Sequence, residues 1–516
     1  MTDRIHSDYR RKIKTRDELR DIIGPRPRQK TVIMCHGTFD LVHPGHIRHL
    51  MYAKTKADIL VASLTCDAHI VKGTFRPFVP QDLRAMNLAA LELVDYVIID
   101  PHPTPLENIT ILQPDYFAKG YEYFKDGMHP KTREESDALA TYGGELLFTP
   151  GDVVYSSSAV VELEHPDIGV EKLMALMESE GITLGHLKKV VSSFNGIRVH
   201  VVGDTIVDSY VHGSLISSGS GKTPTISIKH EREVDFAGGA AVVAKSLAKA
   251  GASVQFSTVL GDDRLKDFVL EDLAAHGIDC RASIDHTRPT TNKTVFLAND
   301  YHMLKVDRLD NRPISDRIVR ELHASLSSNP VDAFILSDFR HGIFNRSTIP
   351  AITDSLPPDT LRAADSQVAS RWGNILEFRG FDLITPNERE ARFALGDQDS
   401  VIRPLALELY RRAQCRTLIL KVGERGILTY RAPSDDVGSF FTVDSFAESV
   451  VDPVGAGDAL LAYGTLSLVA TKSPVVASIL GSMAAAVACE RRGNNPVATA
   501  DVLKKLETVE RRIEYA

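Results

Sequence analysis

The feature that most constrains this chain is an alternation, played out twice, of short apolar runs with stretches of helical periodicity. A strand-like run at residues 31–35 leads through Gly37 and Asp40 into a helical pattern over 44–54. An apolar run at 58–64 follows, then a helix over 81–93, a strand at 96–99, and a last apolar run at Leu146, Leu147 and Phe148. Strands separated by helices pair in parallel, because the crossover between parallel neighbours needs a dozen or more residues. This first unit closes near Glu164. A fresh strand at 198–202, ending in Gly203 and Asp204, opens a second unit, with later strands at 253–258, 333–336, 382–384 and 417–421. Residues 225–230 and 294–305 read as strands outside that alternation and predict a small β lid. The fold class expected is therefore α/β in two domains, a Rossmann-like N-terminal one and a layered α/β/α one carrying a lid. The divisions are a basic leader at 1–28, the first domain at 29–165, a helical connector at 166–195 containing Gly181, and the second domain at 196–516.

A chain of 516 residues exceeds what one hydrophobic core supports. Hydrophobic residues at 43% and charged residues at 25% exclude wholesale disorder. The longest apolar stretch, 478–489, falls short of the ~20 residues a membrane span needs and reads as a buried helix. Five cysteines stand singly, without metal-ligand spacing, and the N-terminus lacks a signal-peptide apolar core, which points to a reducing cytoplasm. A net charge of −8 argues against general nucleic-acid binding, and no membrane partner is expected. The leader carries ten Lys/Arg against five Asp/Glu in residues 1–30 and reads as a solvated arm or helix.

Chemistry concentrates first at Cys35-His36-Gly37-Thr38-Phe39-Asp40-Leu41-Val42-His43-Pro44-Gly45-His46. Two histidines three apart at a helix start lie on one helical face. Gly37 admits close backbone approach, and free N–H groups at the helix start form an anion site. Packing and hydrogen bonding are the bland alternative for a lone histidine pair. The segment resembles the nucleotidyltransferase family whose signature is GxFDxxHxGH, with every fixed position present as Gly37, Phe39, Asp40, His43, Gly45 and His46. The resemblance runs over about 31–161 and extends to Lys72-Gly73, Arg76-Pro77, Arg84, Lys119-Gly120 and Ser156-Ser157-Ser158. It implies that His43 and His46, with Thr38, Lys72, Arg84, Lys119, the serines and Mg2+, neutralise charge on an ATP or CTP triphosphate as pyrophosphate leaves. Positioning and charge neutralisation then carry the chemistry, without a covalent nucleophile. Ser156–Ser158 also read as an ordinary helix cap.

The second concentration is Asp452-Pro453-Val454-Gly455-Ala456-Gly457-Asp458-Ala459. Glycines bracketing one residue ahead of a helix expose consecutive N–H groups, and Asp458 stands where a proton acceptor would sit beside them. A plain helix cap is the alternative. The segment resembles the DTxGAGD motif of the ribokinase family, with Pro453 a departure outside the Gly-Ala-Gly-Asp core. Across about 198–496 the same family's features recur in order: Gly203-Asp204, the pair Gly238-Gly239, Asn387 and Glu390 in Thr385-Pro386-Asn387-Glu388-Arg389-Glu390, and Lys421, Gly423 and Gly426. The resemblance implies a ribokinase-like fold in which Asp458 deprotonates the acceptor hydroxyl and Gly455, Ala456 and Gly457 form the anion hole. It further implies that Asn387 and Glu390 organise Mg2+ indirectly, Lys421, Gly423 and Gly426 bind ATP, and Asp204, Gly238, Gly239 and Lys293 bind the sugar. Gly219-Ser220-Gly221-Lys222-Thr223 mimics a P-loop, but that pattern needs glycine where Ile216 stands.

Together the halves resemble the bifunctional heptose-7-phosphate kinase and heptose-1-phosphate adenylyltransferase family, down to Arg288-Pro289-Thr290-Thr291-Asn292-Lys293 and Ser337-Asp338-Phe339. There the kinase comes first, and here the order is reversed. The resemblance implies a soluble homo-oligomer using ATP, or ATP and CTP, in consecutive steps towards a nucleotide-activated sugar. A polyol-type cytidylyltransferase fused to its kinase, and a non-catalytic protein on these folds, are the rival readings. Two departures bear on the acceptor: Val242 replaces an asparagine expected after Gly238-Gly239-Ala240-Ala241, and Gln367 replaces a lysine. Valine offers no hydrogen bond, so the expected acceptor differs from manno-heptose 7-phosphate.

Overall fold

The computed structural model describes residues 9–70, 77–120, 130–149, 169–218, 226–299, 301–326, 330–354, 356–357, 359–368, 372–434, 436 and 438–515. The chain divides into two compact units, one of residues 1–176 with 435–438, the other of 177–434 with 439–516.

In the first unit β1 (Val32–Gly37), β2 (Ile59–Thr65), β3 (Tyr96–Asp100), β4 (Tyr116–Gly120) and β5 (Glu145–Thr149) form one sheet in the order β3-β2-β1-β4-β5. Every pairing is parallel. The side-chain period of two sends Ile33 and Cys35 to one apolar layer with Leu50, Leu60 and Leu88, and Val32 and Met34 to another with Val61, Ile98 and Phe117. The strands are thus buried on both faces, as helix-covered parallel strands are. The helix expected over 81–93 spans Gln81–Ala89, and a turn in which Val94 N–H reaches Leu91 O leads into β3.

The leader departs from expectation. Thr15 caps the helix Arg16–Ile23 through a capping box with Glu18, and Leu19 and Ile23, four apart on one helical face, are buried in the Val32–Met34 layer. Ile13 adds a parallel bridge to Val97 on β3. This part of the leader belongs to the fold rather than to solvent.

The second unit contains β6 (Arg198–Gly203), β7 (Thr205–Ser218), β8 (Ile226–Gly239), β9 (Ser253–Leu260), β10 (Asp279–Ile284), β11 (Asn292–Ala298) and β12 (Tyr301–Arg308). It continues with β13 (Ala333–Asp338), β14 (Leu361–Ser366), β15 (Leu383–Ile384), β16 (Thr417–Lys421), β17 (Ile427–Tyr430) and β18 (Phe440–Val443). Nine of them form the main sheet, β10-β9-β6-β13-β14-β15-β16-β17-β18, parallel from β10 to β16 and antiparallel over the last two. The other four form a sheet in the order β12-β11-β7-β8. This is the lid, larger than the sequence predicts because β7 and β8 each run for 14 residues.

Helices Ala456–Thr471 and Pro474–Cys489 are buried along nearly their whole length. The 478–489 stretch lies in the second of these, and no helix among the described residues is long and apolar enough to cross a membrane. The expected connector is two helices, Gly169–Ser179 and Leu184–Ser192, separated at Gly181 and with Thr183 capping the second. Leu187, Val190 and Val191 of the second helix are buried. It packs against helix Thr499–Tyr515 of the second unit, with Lys188 paired to Glu510, so it belongs to that unit.

Candidate active sites

In the first unit the signature begins where β1 ends, and His43 is the N-cap of the helix Pro44–Lys54. His43 Nδ1 accepts the Gly45 N–H at 3.1 Å, which leaves Nε2 as the hydrogen-bearing nitrogen of the neutral ring. His46 Nδ1 donates to the Leu41 carbonyl at 3.1 Å, so its Nε2 is the free acceptor. The rings stack with centroids 3.9 Å apart. Burial, then the neighbouring His43, depresses His46 to about 4, and burial also lowers His43. Both imidazoles are therefore neutral near pH 7.

Three sequence-derived ligands turn out to be engaged with the protein. Asp40 Oδ1 accepts N–H bonds from Phe78 (2.8 Å) and Val79 (3.0 Å) and ties down the loop that precedes helix Gln81–Ala89. Arg84 is fully buried, donating to the carbonyls of Thr38 and of Thr65 (3.0 Å) and pairing with Asp67 at 2.6 Å. It braces the Thr38 loop instead of presenting a cation outward, a correction to its expected phosphate contact. Lys119 donates to Thr132 Oγ1 at 3.1 Å and pairs with Glu135. Gly37 stands with its Cα face 3.3 Å, at a Cβ position, from the Phe39 ring. Lys72 and Ser156, Ser157 and Ser158 lie outside the described residues. Two histidines missed in the sequence are also held by side-chain hydroxyls. His36 bridges Ser63 (2.9 Å) and Thr65 (3.1 Å), and His49 meets the Thr149 hydroxyl at 2.9 Å. The i, i+3, i+6 spacing of His43, His46 and His49 was the available signal for the last.

In the second unit the glycine turn begins at Gly455, held at φ +83°, where a left-handed backbone suits a residue without Cβ. Ala456 and Gly457 then open the helix, and Asp458, buried in its first turn, has its carboxyl raised to about 7 by burial first and by Asp365 second. Lys421 at the end of β16 lies 3.1 Å from Asp365 Oδ2, and a Cβ on Gly457 would meet its Nζ at 3.1 Å. Burial works against that ammonium, but Asp365, Glu390 and Asp458 outweigh it and raise its pKa. Glu390, pushed up to about 7 by burial and then Asp365, forms a capping box with Asn387: Asn387 N–H donates to Glu390 Oε2 (2.7 Å) and Glu390 N–H to Asn387 Oδ1 (2.8 Å). Gly423 and Gly426 shape the β16–β17 turn, where Gly426 N–H reaches Gly423 O at 3.0 Å. One ammonium thus sits among three carboxylates beside the glycine turn.

The acceptor side lies at the lid. Asp204 Oδ2 accepts N–H bonds from Phe339 (3.0 Å) and His341 (3.2 Å), so this oxygen braces the loop after β13. The carboxylate that faces Gly238 is Asp208, whose Oδ2 would collide with any Cβ there. In the β7–β11 register Asp208 is level with Lys293. Gly239 closes β8 and precedes the helix Ala240–Lys249, in which Val242 is buried. Asp208 and Asp365 were the residues that sequence reasoning left without a role. Asp208 follows Asp204 by four, on a strand whose lid position the sequence did not reveal.

A mostly parallel sheet bearing a β lid, with a glycine turn at a helix start beside a buried carboxylate, is the architecture of a small-molecule phosphotransferase. The chain belongs to the pfkB family of carbohydrate kinases, which residues 198–500 match. Residues 34–162 match the cytidylyltransferase-like family. Among curated relatives it is similar to the bifunctional protein HldE of Desulfatibacillum aliphaticivorans, 29% identical over 326 residues, covering 61% of this chain and 64% of the relative. It is also similar to HldE of Syntrophotalea carbinolica, 41% identical over 142 residues, covering 27% of this chain and 28% of the relative. Each alignment spans less than two thirds of the relative's own length. Phosphofructokinase-2 from Escherichia coli in complex with substrates and products superposes at a TM-score of 0.50, with 16% identity over 61% of this chain and 100% of that one, a likeness of fold alone.

Proposed function

We propose that the chain is a bifunctional enzyme. The second unit phosphorylates a sugar or sugar phosphate from ATP, and the first transfers a nucleotidyl group from a nucleoside triphosphate to a sugar phosphate, releasing pyrophosphate. The two reactions serve the making of a nucleotide-activated, heptose-like sugar. The observation that carries this reading is Asp458, a buried carboxylate raised to about 7 three residues after Gly455 and beside the Lys421 ammonium. A base whose pKa lies near the working pH takes up a proton efficiently. Asp458 accepts the acceptor hydroxyl's proton, the hydroxyl oxygen bonds the γ-phosphorus, and ADP leaves. The N–H groups of Gly455–Gly457 and Lys421 face the negative charge of the transferring group.

Mg2+ fits this cluster. Asp365 Oδ1 is buried and lacks a hydrogen-bond partner among the described residues, beside Glu390 and Lys421. No group of three or more His, Cys, Asp or Glu among the described residues is arranged to chelate an ion, so Asn387, Glu390 and Asp365 would hold it through water. Bound there, it would supply neutralisation of the ATP phosphates.

In the first unit a sugar-phosphate oxygen attacks the α-phosphorus and pyrophosphate departs. His43 offers Nε2–H, and His46 gains a proton as the triphosphate binds. Lys72, Lys119, Ser156, Ser157 and Ser158 are the further phosphate contacts, while Asp40 ties down the loop before helix Gln81–Ala89 and Arg84 braces the Thr38 loop. CTP stands as an alternative to ATP because residues 34–162 match the cytidylyltransferase-like family. All five cysteines are free, in keeping with a cytoplasmic setting. The lid exposes Leu215, Ile216, Ile226, Tyr301 and Leu304, an apolar surface in keeping with a homo-oligomer. The test is incubation of the whole chain with Mg2+, ATP or CTP and a panel of sugars, polyols and their phosphates, following ADP and pyrophosphate separately. Both products are expected, each with its own acceptor. Absence of both across the panel would refute the reading.

A further inference from the structure

Two glycines on different elements, Gly238 at the end of β8 and Gly455 before the helix Ala456–Thr471, enclose one side chain. Asn494 comes from the segment after the helix Pro474–Cys489. A Cβ on Gly238 would stand 3.3 Å from Asn494 Nδ2, and a Cβ on Gly455 would stand 2.5 Å from Asn494 Oδ1. Val242 Cγ1 lies 3.8 Å from that same Gly455 position, so amide and isopropyl group flank one point. Asn494 Oδ1 is closed off from solvent and has no hydrogen-bond partner among the described residues. A buried carbonyl oxygen without a partner is unfavourable, and such atoms in a substrate cleft mark where a ligand donor completes the set.

We propose that Asn494 Oδ1 accepts a hydrogen bond from the acceptor substrate, from the hydroxyl on the carbon adjacent to the one being phosphorylated. This rests on the kinase reading above. The sign of the group selects the partner: an amide oxygen repels phosphoryl oxygens and attracts an O–H. Its place selects the position, since it lies over Gly455, three residues before the base Asp458, while its Nδ2 faces the lid glycine beside Asp208. Val242 makes the other flank of that point apolar, so a hydroxyl of the opposite configuration would meet methyl groups. The loss of polarity at Val242 is thereby answered from a chain segment 252 positions away, with 242 and 494 both read from the sequence. Asn494 is a specificity-determining residue, and the acceptor class is a polyhydroxylated sugar phosphate or polyol phosphate bearing that neighbouring hydroxyl in one configuration.

The experiment uses the full chain and the best sugar-phosphate acceptor from the panel, with its single-deoxy analogue and epimer at the neighbouring carbon. kcat/KM is compared within each variant, so general damage to a variant cancels in the ratio. The unsubstituted chain is expected to prefer the intact acceptor over the deoxy analogue by about 10-fold or more, the effect of leaving a buried polar group unpaired. Asn494→Ala is expected to reduce that preference to about 2-fold or less, with KM for ATP unchanged, because only a lost hydrogen bond erases the ratio. Asn494→Asp keeps the accepting oxygen and the side-chain shape and is expected to retain the preference. Equal loss on intact and deoxy acceptors in Asn494→Ala, or the same ratio in all three proteins, would mean that Asn494 is only a spacer. Absence of phosphoryl transfer by the unsubstituted chain would overturn the kinase reading as well, a result distinguishable from either.

Discussion

Replacing Lys421 by methionine removes the ammonium that sits among Asp365, Glu390 and Asp458, and the structure sets the size of the effect. At 3.1 Å from Asp365 Oδ2, the attraction is worth about 5 kcal/mol at an effective dielectric near 20. Breaking a buried pair by deleting one partner costs about 3–5 kcal/mol, because the remaining charge stays in a low dielectric. The carboxylates respond by holding protons to higher pH, so Asp458, already raised to about 7, should titrate higher still. Two readouts follow in the full chain. The thermal transition of the kinase unit should drop by roughly 4–7 °C near pH 7.5, taking about 1.4 °C per kcal/mol for a unit of this size. The acid limb of the kinase pH–rate profile should move upward, with kcat near pH 7 reduced about 100-fold or more through loss of a charge facing the transferring group. Adding Asp365→Asn should restore much of the stability but not the rate. A Lys421→Met protein with unchanged melting and an unmoved acid limb would refute the ion cluster as the organising element of the site.

Other outcomes follow from the same geometry. Arg84→Met should destabilise the first unit by about 3–5 kcal/mol through the stranded Asp67, and leave KM for the nucleotide within about 2-fold in the folded fraction, as calorimetry with initial-rate kinetics would determine. The units should also respond oppositely to acid. In the first, burial depresses His36, His46 and His49 to about 4, so the unfolded chain binds more protons below about 6.5; Asp82, Asp100 and Glu135, raised by burial, act the other way, but the histidine shifts are the larger ones and stability falls as pH drops towards 4. In the second, Asp204 at about 6 and Asp338, Glu390 and Asp458 at about 7 bind protons more tightly when folded, and they outnumber the depressed His200 and His341. Its stability should fall as pH rises from about 4 to 7, so scanning calorimetry at pH 5.5 and 7.5 should move the two transitions in opposite directions. A fragment starting at Gly169 should fold as a kinase unit, whereas one starting at Lys188 should melt lower because it truncates the helix that buries Leu187, Val190 and Val191.

What the sequence made legible was local. Gly37 to His46 and Gly455 to Asp458 each lie within about ten residues, where helix-start geometry follows from spacing alone, and the structure places both at helix starts. Asn387 and Glu390, expected from the resemblance to organise Mg2+, stand three apart and form a capping box, a local contact the structure adds. Contacts between distant segments were not legible. Asp208 and Asn494 meet across Gly238 only because β7 lies beside β8 and the segment after the helix Pro474–Cys489 returns to it. Arg84 looked like a phosphate ligand because nothing local told that Thr38, Thr65 and Asp67 would surround it. The leader misled for another reason: its ten basic residues outweighed the Thr15–Glu18 box and the Leu19–Ile23 pair, which signal a docked helix.

The most direct test of the central claim, two independent phosphate-chemistry sites on one chain, is a paired assay of Asp458→Asn and His46→Ala in the full-length protein. ADP release with the kinase acceptor and pyrophosphate release with the transferase acceptor are followed in parallel. Asp458→Asn should lower ADP formation by about 100-fold or more, as loss of a general base does, and leave pyrophosphate release within about 2-fold. His46→Ala should do the reverse. Loss of both activities in either folded variant would contradict the account.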